Sequence, residues 1–328
     1  MLSFRSKFVV FLLAASTAYA QTGAAPLAFD VASVRPSRPD SPQHTNVPLD
    51  TGNVYGSVSP DDSRSAAGGY FAATHQALWR YIAFAYKLSG TQELSMRFGM
   101  FFGVPKSGAP FWVTGSFDAQ PEYFDISARA PAGTTIDQMR LMMQSLLADR
   151  FHLITHFVTA NAPVSALVLS KPGVTGPHLQ RHPLTDPCDV TVGANQPASD
   201  QPALRASTAP SMVGDLPPAC GVVAHVPSSA TGMHYGGRAV SLSLFASSVP
   251  TMTGLAANPR PVVDQTGLSG LYDFTLTWMH DPSGDGAIAD NTANFRDALK
   301  TQLGLKLISS HSSISFLIVD HVEHPSEN

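Results

Sequence analysis

Charged side chains are scarce: Asp, Glu, Lys and Arg make up 13% of the 328 residues. No cluster of Lys and Arg follows the first few residues, so the electrostatic footprint that nucleic acid or an anionic membrane demands is missing, and no nucleic-acid partner is expected. Cysteine is scarcer still, with Cys188 and Cys220 alone. They form no C-x-x-C pair that could share a low-pKa thiolate, which removes the ordinary redox reading. Beyond residue 20 no apolar run approaches the roughly 20 residues that a helix needs to cross a hydrocarbon core of about 30 Å, so no membrane span is expected in the mature chain. No Ser stands in G-x-S-x-G and no H-E-x-x-H is present, so neither nucleophilic hydrolysis nor zinc chemistry has a motif to stand on.

What is present begins with a leader. Arg5 and Lys7 precede an apolar run from Phe8 to Ala15, and Ala18-Tyr19-Ala20 supplies the small-x-small site of a signal peptidase. This predicts a signal peptide over 1–20, cleavage before Gln21, and export to the periplasm or the medium. Loss of the two basic leader residues takes the formal charge from −4 to −6, a mildly acidic protein. In an oxidising compartment two cysteines make one bridge, so a Cys188–Cys220 disulfide is expected, worth very roughly 3–4 kcal/mol in the chain-entropy model. A hydrophobic fraction of 44% is ample for a core. At about 150 residues per domain the length predicts two units.

Internal similarity supports the same count. Gly68-Gly69 leads into an amphipathic stretch from Ala77 to Tyr86, and Gly236-Gly237 leads into a second from Val240 to Val249. Each is followed by an aromatic strand with an acidic residue, Tyr123 to Ala128 around Asp125 and Leu271 to Leu276 around Asp273. A second helix follows in each case. Thr135 and Gln138 make a capping box ahead of Met139, Met142, Met143 and Leu146; Thr292 is the expected N-cap ahead of Phe295, Ala298, Leu299 and Leu303. Val164–Leu169 and Ile314–Val319 read as closing strands. The expected fold is α+β, two copies of a strand-helix-strand-helix-strand unit with the helices on one face of a mixed sheet. Residues 21–66 should form an N-terminal strand, around Phe29-Asp30-Val31, and a loop; 67–172 the first copy; 173–232 a Pro-rich linker holding the cysteines; and 233–328 the second copy.

Candidate chemistry is thin. Asp281, Ser283, Asp285 and Gly286 imitate the start of a calcium loop, but position 12 is Thr292 in place of a bidentate Glu, and a surface turn is the better reading. His152 with His156, His178 with His182, and His321 with Glu323 and His324 are pairs that twelve histidines make common by chance, so no metal and no cofactor is expected. Asp264-Gln265-Thr266-Gly267 looks like an aspartic-protease turn with one residue too many and reads as a β-turn. Asp125 and Asp273, at equivalent places in the two copies, are expected to be partners of backbone N–H groups, not an acid–base pair. Phe98, Phe101, Phe102, Phe111 and Trp112 lie in a weakly periodic, Gly-containing stretch, and an exposed apolar patch there is the expected binding surface.

Phe29 to Ser37, Gln138 to Arg140, Ser145 to Phe151, Pro261 to Phe274, Gln302 to Leu307 and Val319 to Asn328 resemble the signature blocks of an uncharacterised exported family of soil bacteria, a domain of unknown function. The resemblance covers nearly the whole mature chain and brings no catalytic residues. Residues 89–109 depart from the usual spacing as an insertion. Some members of that family are fused to membrane metallopeptidases of the antibiotic-sensor type, which implies sensing. The element order of each copy is also similar to the short N-terminal domain of secretins and TonB-dependent receptors, a module that binds protein partners. The expectation is therefore an exported, non-enzymatic binding or sensory module for a protein, peptide or envelope component, using the 89–112 segment and the groove between the copies. The alternative is an envelope hydrolase whose site is assembled from several loops.

Overall fold

The computed structural model describes residues 26–47, 49, 69–98, 107–115, 120–185, 216–217, 220–226, 232–253, 260–279 and 287–325. Among them are eleven strands and six helices in three sheets. The strands are β1 Val31–Pro36, β2 His44–Thr45, β3 Tyr70–Ala77, β4 Tyr123–Arg129, β5 Ile154–Leu169, β6 Leu179–Arg181, β7 Val222–His225, β8 Met233–Val240, β9 Val262–Asp264, β10 Tyr272–Trp278 and β11 Leu305–His321. The helices are α1 Leu78–Ala85, α2 Gly90–Phe98, α3 Phe111–Thr114, α4 Ile136–Phe151, α5 Leu242–Thr253 and α6 Ala287–Gln302. The fold class is α+β. None of the helices is long and apolar enough to cross a membrane.

Two antiparallel four-stranded sheets, in orders β1-β4-β3-β2 and β6-β10-β8-β7, each carry one core. Alternation decides which face is buried: in β10, Tyr272, Phe274, Leu276 and Trp278 are buried while Asp273, Thr275 and Thr277 are not. The same rule turns Phe124, Ile126 and Ala128 of β4 onto α1 and α4. Helix α4 starts where its capping box predicts, with the Thr135 side chain accepting the Gln138 N–H and the Gln138 side chain accepting the Thr135 N–H. Helix α6 begins at Ala287, ahead of the Thr292 cap expected from sequence.

The third sheet corrects the expectation that each unit closes on its own last strand. β5 and β11 run to 16 and 17 residues and pair with each other, antiparallel, along their whole length; β9 adds to β5 in parallel. Each strand also serves both cores. Leu317 and Val319 of β11 are buried with α1, α4 and β4, whereas Leu167 of β5 is buried with α5, α6 and β10. The linker assignment of 173–232 is corrected too, because β6 and β7 from that stretch form the edges of the second sheet.

Candidate functional site

Where α2 meets α5 and the third sheet there is a cavity of about 310 Å3, lined by Ser89, Thr91, Gln92, Ser243, Ser247, Val262, Val263, Asp264 and Ile314. Its first wall comes from the stretch that the sequence marked as an insertion. Residues 90–98 fold as a helix because Ser89 and Gln92 cap it: the Ser89 N–H donates to Gln92 Oε1 at 2.8 Å, and the Gln92 N–H donates to Ser89 Oγ at 3.2 Å. Gln92 Nε2 then donates to the Ser315 carbonyl at 2.7 Å, anchoring the helix to β11. Leu94 and Met96 are buried, so α2 is a packed element. Thr91 is buried, and its hydroxyl oxygen has no hydrogen-bond partner among the described residues.

The opposite wall is α5, β9 and the turn after it. The Leu244 N–H donates to Ser241 Oγ at 3.2 Å and starts α5; Ser243 follows on the exposed side, and Ser247 donates to the Leu244 carbonyl at 2.9 Å. Asp264 is the one carboxylate of the lining. Its Oδ1 accepts the Thr266 N–H at 2.9 Å and the Thr266 hydroxyl at 2.7 Å. The carboxylate thus closes its own turn, as the β-turn reading requires, and no second carboxylate stands across the cavity to share a proton with it.

Of the expected binding aromatics, Phe98, Phe111 and Trp112 are among the described residues. Phe101 and Phe102 lie outside the described residues. Phe98 is half-buried beneath the Arg97 guanidinium, 4.6 Å from its ring, and Arg97 also sits 3.8 Å above Trp79 and 3.1 Å from Glu93. Burial lowers the Arg97 pKa, with Glu93 opposing. Trp112 stacks on His324 at 4.2 Å, leaving Phe111 as the exposed member at 73%. None of the three described aromatics lines the cavity. The calcium-like loop 281–286 and Cys188 also lie outside the described residues. Cys220 has no free thiol.

Asp125 and Asp273 have the expected role. Asp125 Oδ1 accepts the backbone N–H of His75 at 2.9 Å, and Asp273 Oδ1 accepts that of Ala239 at 2.7 Å. His75 and Ala239 are non-glycine residues at φ 52° and 51°, each sitting at an irregularity in its ladder three residues before a helix. Such left-handed positions cost on the order of 1–3 kcal/mol, which the carboxylate offsets. Ser37 Oγ lies 3.1 Å from His75 Nδ1, so Ser37, His75 and Asp125 are neighbours. They do not form a Ser-His-Asp relay, because Asp125 accepts the His75 backbone N–H and not a ring N–H, while the imidazole stacks on Tyr123 at 4.2 Å. In the second half, His182 Nδ1 lies 2.8 Å from Asp273 Oδ1, with both side chains largely buried.

The structure joins two histidine groups that the sequence kept apart. Glu323 lies 3.2 Å from His152 and 2.7 Å from His321, and its N–H donates to the Phe151 carbonyl at 2.7 Å. His156 pairs with Asp320 at 2.7 Å and His324 with Glu122 at 3.1 Å. The hydrogen bond from His321 holds the Glu323 carboxyl below its ordinary pKa, against slight desolvation and with help from His152. These contacts clamp the segment after β11 onto the end of α4. Among the described residues no group of three or more His, Cys, Asp or Glu is arranged to hold a metal ion.

No curated protein and no solved structure matches this chain. Residues 80–322, well over half of the chain, match the model of DUF3738, described as a protein of unknown function, and the chain belongs to that family.

Proposed function

We propose that this chain is an exported, non-enzymatic binding module of two α+β copies, which takes a protein, peptide or envelope component into the cavity between its halves. The observation that carries this reading is the cavity itself, built by α2 from one half and by α5 and β9 from the other, with a buried Thr91 hydroxyl unmet in its wall. Its volume is at the lower end of ligand pockets, which suits a short peptide segment or a small polar group better than a folded surface. Binding is favoured over hydrolysis because the lining offers hydroxyls, one amide and one carboxylate already committed to its own turn, with no histidine, thiol or amine to move a proton.

The duplication is supported by the element order β3-α1-β4-α4-β5 and β8-α5-β10-α6-β11, and by the Asp-to-left-handed-residue bond at the same place in each. Export rests on the leader over 1–20, and a Cys188–Cys220 bridge on that compartment together with Cys220 having no free thiol. A sensory role rests on the resemblance to metallopeptidase-fused relatives and to the secretin and TonB-receptor module. The test is a photo-crosslinking residue at Ser243, inside the cavity, against a control at fully exposed Leu184, followed by pulldown from the native envelope. Adducts specific to position 243 and lost when Ser247→Trp fills the cavity are expected. Equal labelling from both positions, or none from 243, would overturn the reading.

A further inference from the structure

Among the described residues, half of β5 is a sheet edge with no strand paired to it. In the parallel pair with β9, the Ser165 N–H donates to the Pro261 carbonyl at 2.8 Å and the Gln265 N–H donates to the Leu167 carbonyl at 2.9 Å. Odd-numbered residues of β5 therefore direct their backbone groups away from β11. The register with β11 is unbroken from Thr155 to Leu169, so the same parity holds along that whole stretch. β9 covers only Ser165 to Leu167. Farther down, Thr155, Phe157, Thr159 and Asn161 present N–H and C=O groups outward, and no described residue bonds to them. β11 shows the contrast: its outward Ser315 carbonyl is taken by Gln92, and the outward Val319 carbonyl is taken by the Gly108 N–H.

Exposed edges invite another strand unless lysine, proline or a bulge blunts them. Between Ile154 and Pro163 there is no Lys, Arg, Asp or Glu, and the ladder irregularity falls only at Ile154. His156 is held by Asp320 at 2.7 Å. Phe157 is 49% exposed and Ile154 58%, and the stretch is rich in the aromatic and β-branched residues that favour strands. An edge without charge can meet its own copy in antiparallel sense with no like-charge repulsion.

We infer that the β5 edge is a homodimer interface, pairing antiparallel with β5 of a second copy of this chain. The register that uses all four open residues sets Phe157 opposite the second copy's Thr159 and Thr155 opposite the second copy's Asn161. It makes about eight new hydrogen bonds, two per facing pair. Pro163, which has no N–H to give, ends the pairing. The two Phe157 rings become diagonal neighbours on one face, within reach of each other. Because the same edge is used by both copies, the assembly closes as a two-fold dimer joining the two β11-β5 ribbons into one sheet. This does not depend on what the cavity binds.

Sedimentation velocity of the full exported chain over a wide concentration range tests it. Wild type should form a dimer that dissociates on dilution, with slowed amide exchange at Phe157, Thr159 and Asn161. Thr159→Pro removes only an outward N–H and no bond to β11, so it should give a monomer with unchanged circular dichroism and thermal midpoint. Thr159→Lys should also give a monomer, by bringing like charges together, and decides the matter if the proline variant misfolds. A wild-type monomer at every concentration, a dimer that survives in Thr159→Lys, or a dimer without protection at those amides would overturn the inference. So would growth beyond dimer, which signals β5 pairing head-to-tail with another copy's β11.

Discussion

Asp125 and Asp273 show how far single residues could be read. Their matching places in two similar stretches identified them as partners of backbone N–H groups, and both are. What no local pattern showed is that the N–H groups belong to His75 and Ala239 at positive φ, since neither residue type asks for that conformation. Asp273→Ala should destabilise by about 1–3 kcal/mol, because it strands the Ala239 N–H and removes the His182–Asp273 contact together, and Asp125→Ala by less. Guanidinium unfolding with an unchanged m-value checks this; equal midpoints for wild type and Asp273→Ala would refute it. Glu323 makes a pH prediction. A carboxyl whose pKa is lower folded than unfolded adds stability that is present above the unfolded value of about 4.3 and is lost as pH falls through the folded value. An NMR titration should place the Glu323 midpoint below that of an unstructured glutamate. Glu323→Gln should flatten the acid limb of the stability curve, and a midpoint at or above the reference refutes the clamp.

At the scale of elements the helices were the most legible parts and the long strands the least. The periodic apolar faces of α1 and α4 and the capping box of α4 are local, so they survive without tertiary knowledge. β5 and β11 were visible only as short stretches of six residues each, Val164–Leu169 and Ile314–Val319. Among their remaining residues, Thr159 to Asn161 and Ser309 to Ser313 are exposed or half-exposed in succession, with no buried face for a sequence pattern to mark. Hydrogen bonding to each other is what makes them strands. The exchange has a measurable consequence. Leu317→Ala, in the last strand, should cost about 2–5 kcal/mol and speed amide exchange in α1 and α4 of the first half, while Leu167→Ala should do the same to α5 and α6 of the second. If each substitution loosened its own half instead, the cores would not be shared as Leu317 and Leu167 indicate.

At the scale of the molecule, the two halves are tied by the β5–β11 ribbon and by α2 lodged against β11 and α5, and, on the reading proposed above, a bridge from Cys188 to Cys220 closes the loop between β6 and β7 of the second sheet. The native protein should then be lighter than its reduced form by one pair of hydrogens, and alkylation without reductant should label neither cysteine. Two labelled thiols in the native state would remove the bridge. The cavity belongs to this scale as well, since its wall draws Ser89, Thr91 and Gln92 from one half and Ser243, Ser247 and Asp264 from the other.

Composition, period and capping were enough to establish the α+β class and the structural aspartates, because each depends on residues close together in the chain or on the whole composition. The segment 89–112 was marked as unusual for its aromatic residues, and within it the first turn of α2, through Ser89, Thr91 and Gln92, faces the cavity, which no sequence pattern signalled. Which strand completes which core, where the cavity opens and which edge of β5 stays bare were decided only by tertiary structure. Those features rest on pairings between residues some 150 positions apart, such as Ser315 with Thr159, and no local preference encodes a partner at that separation.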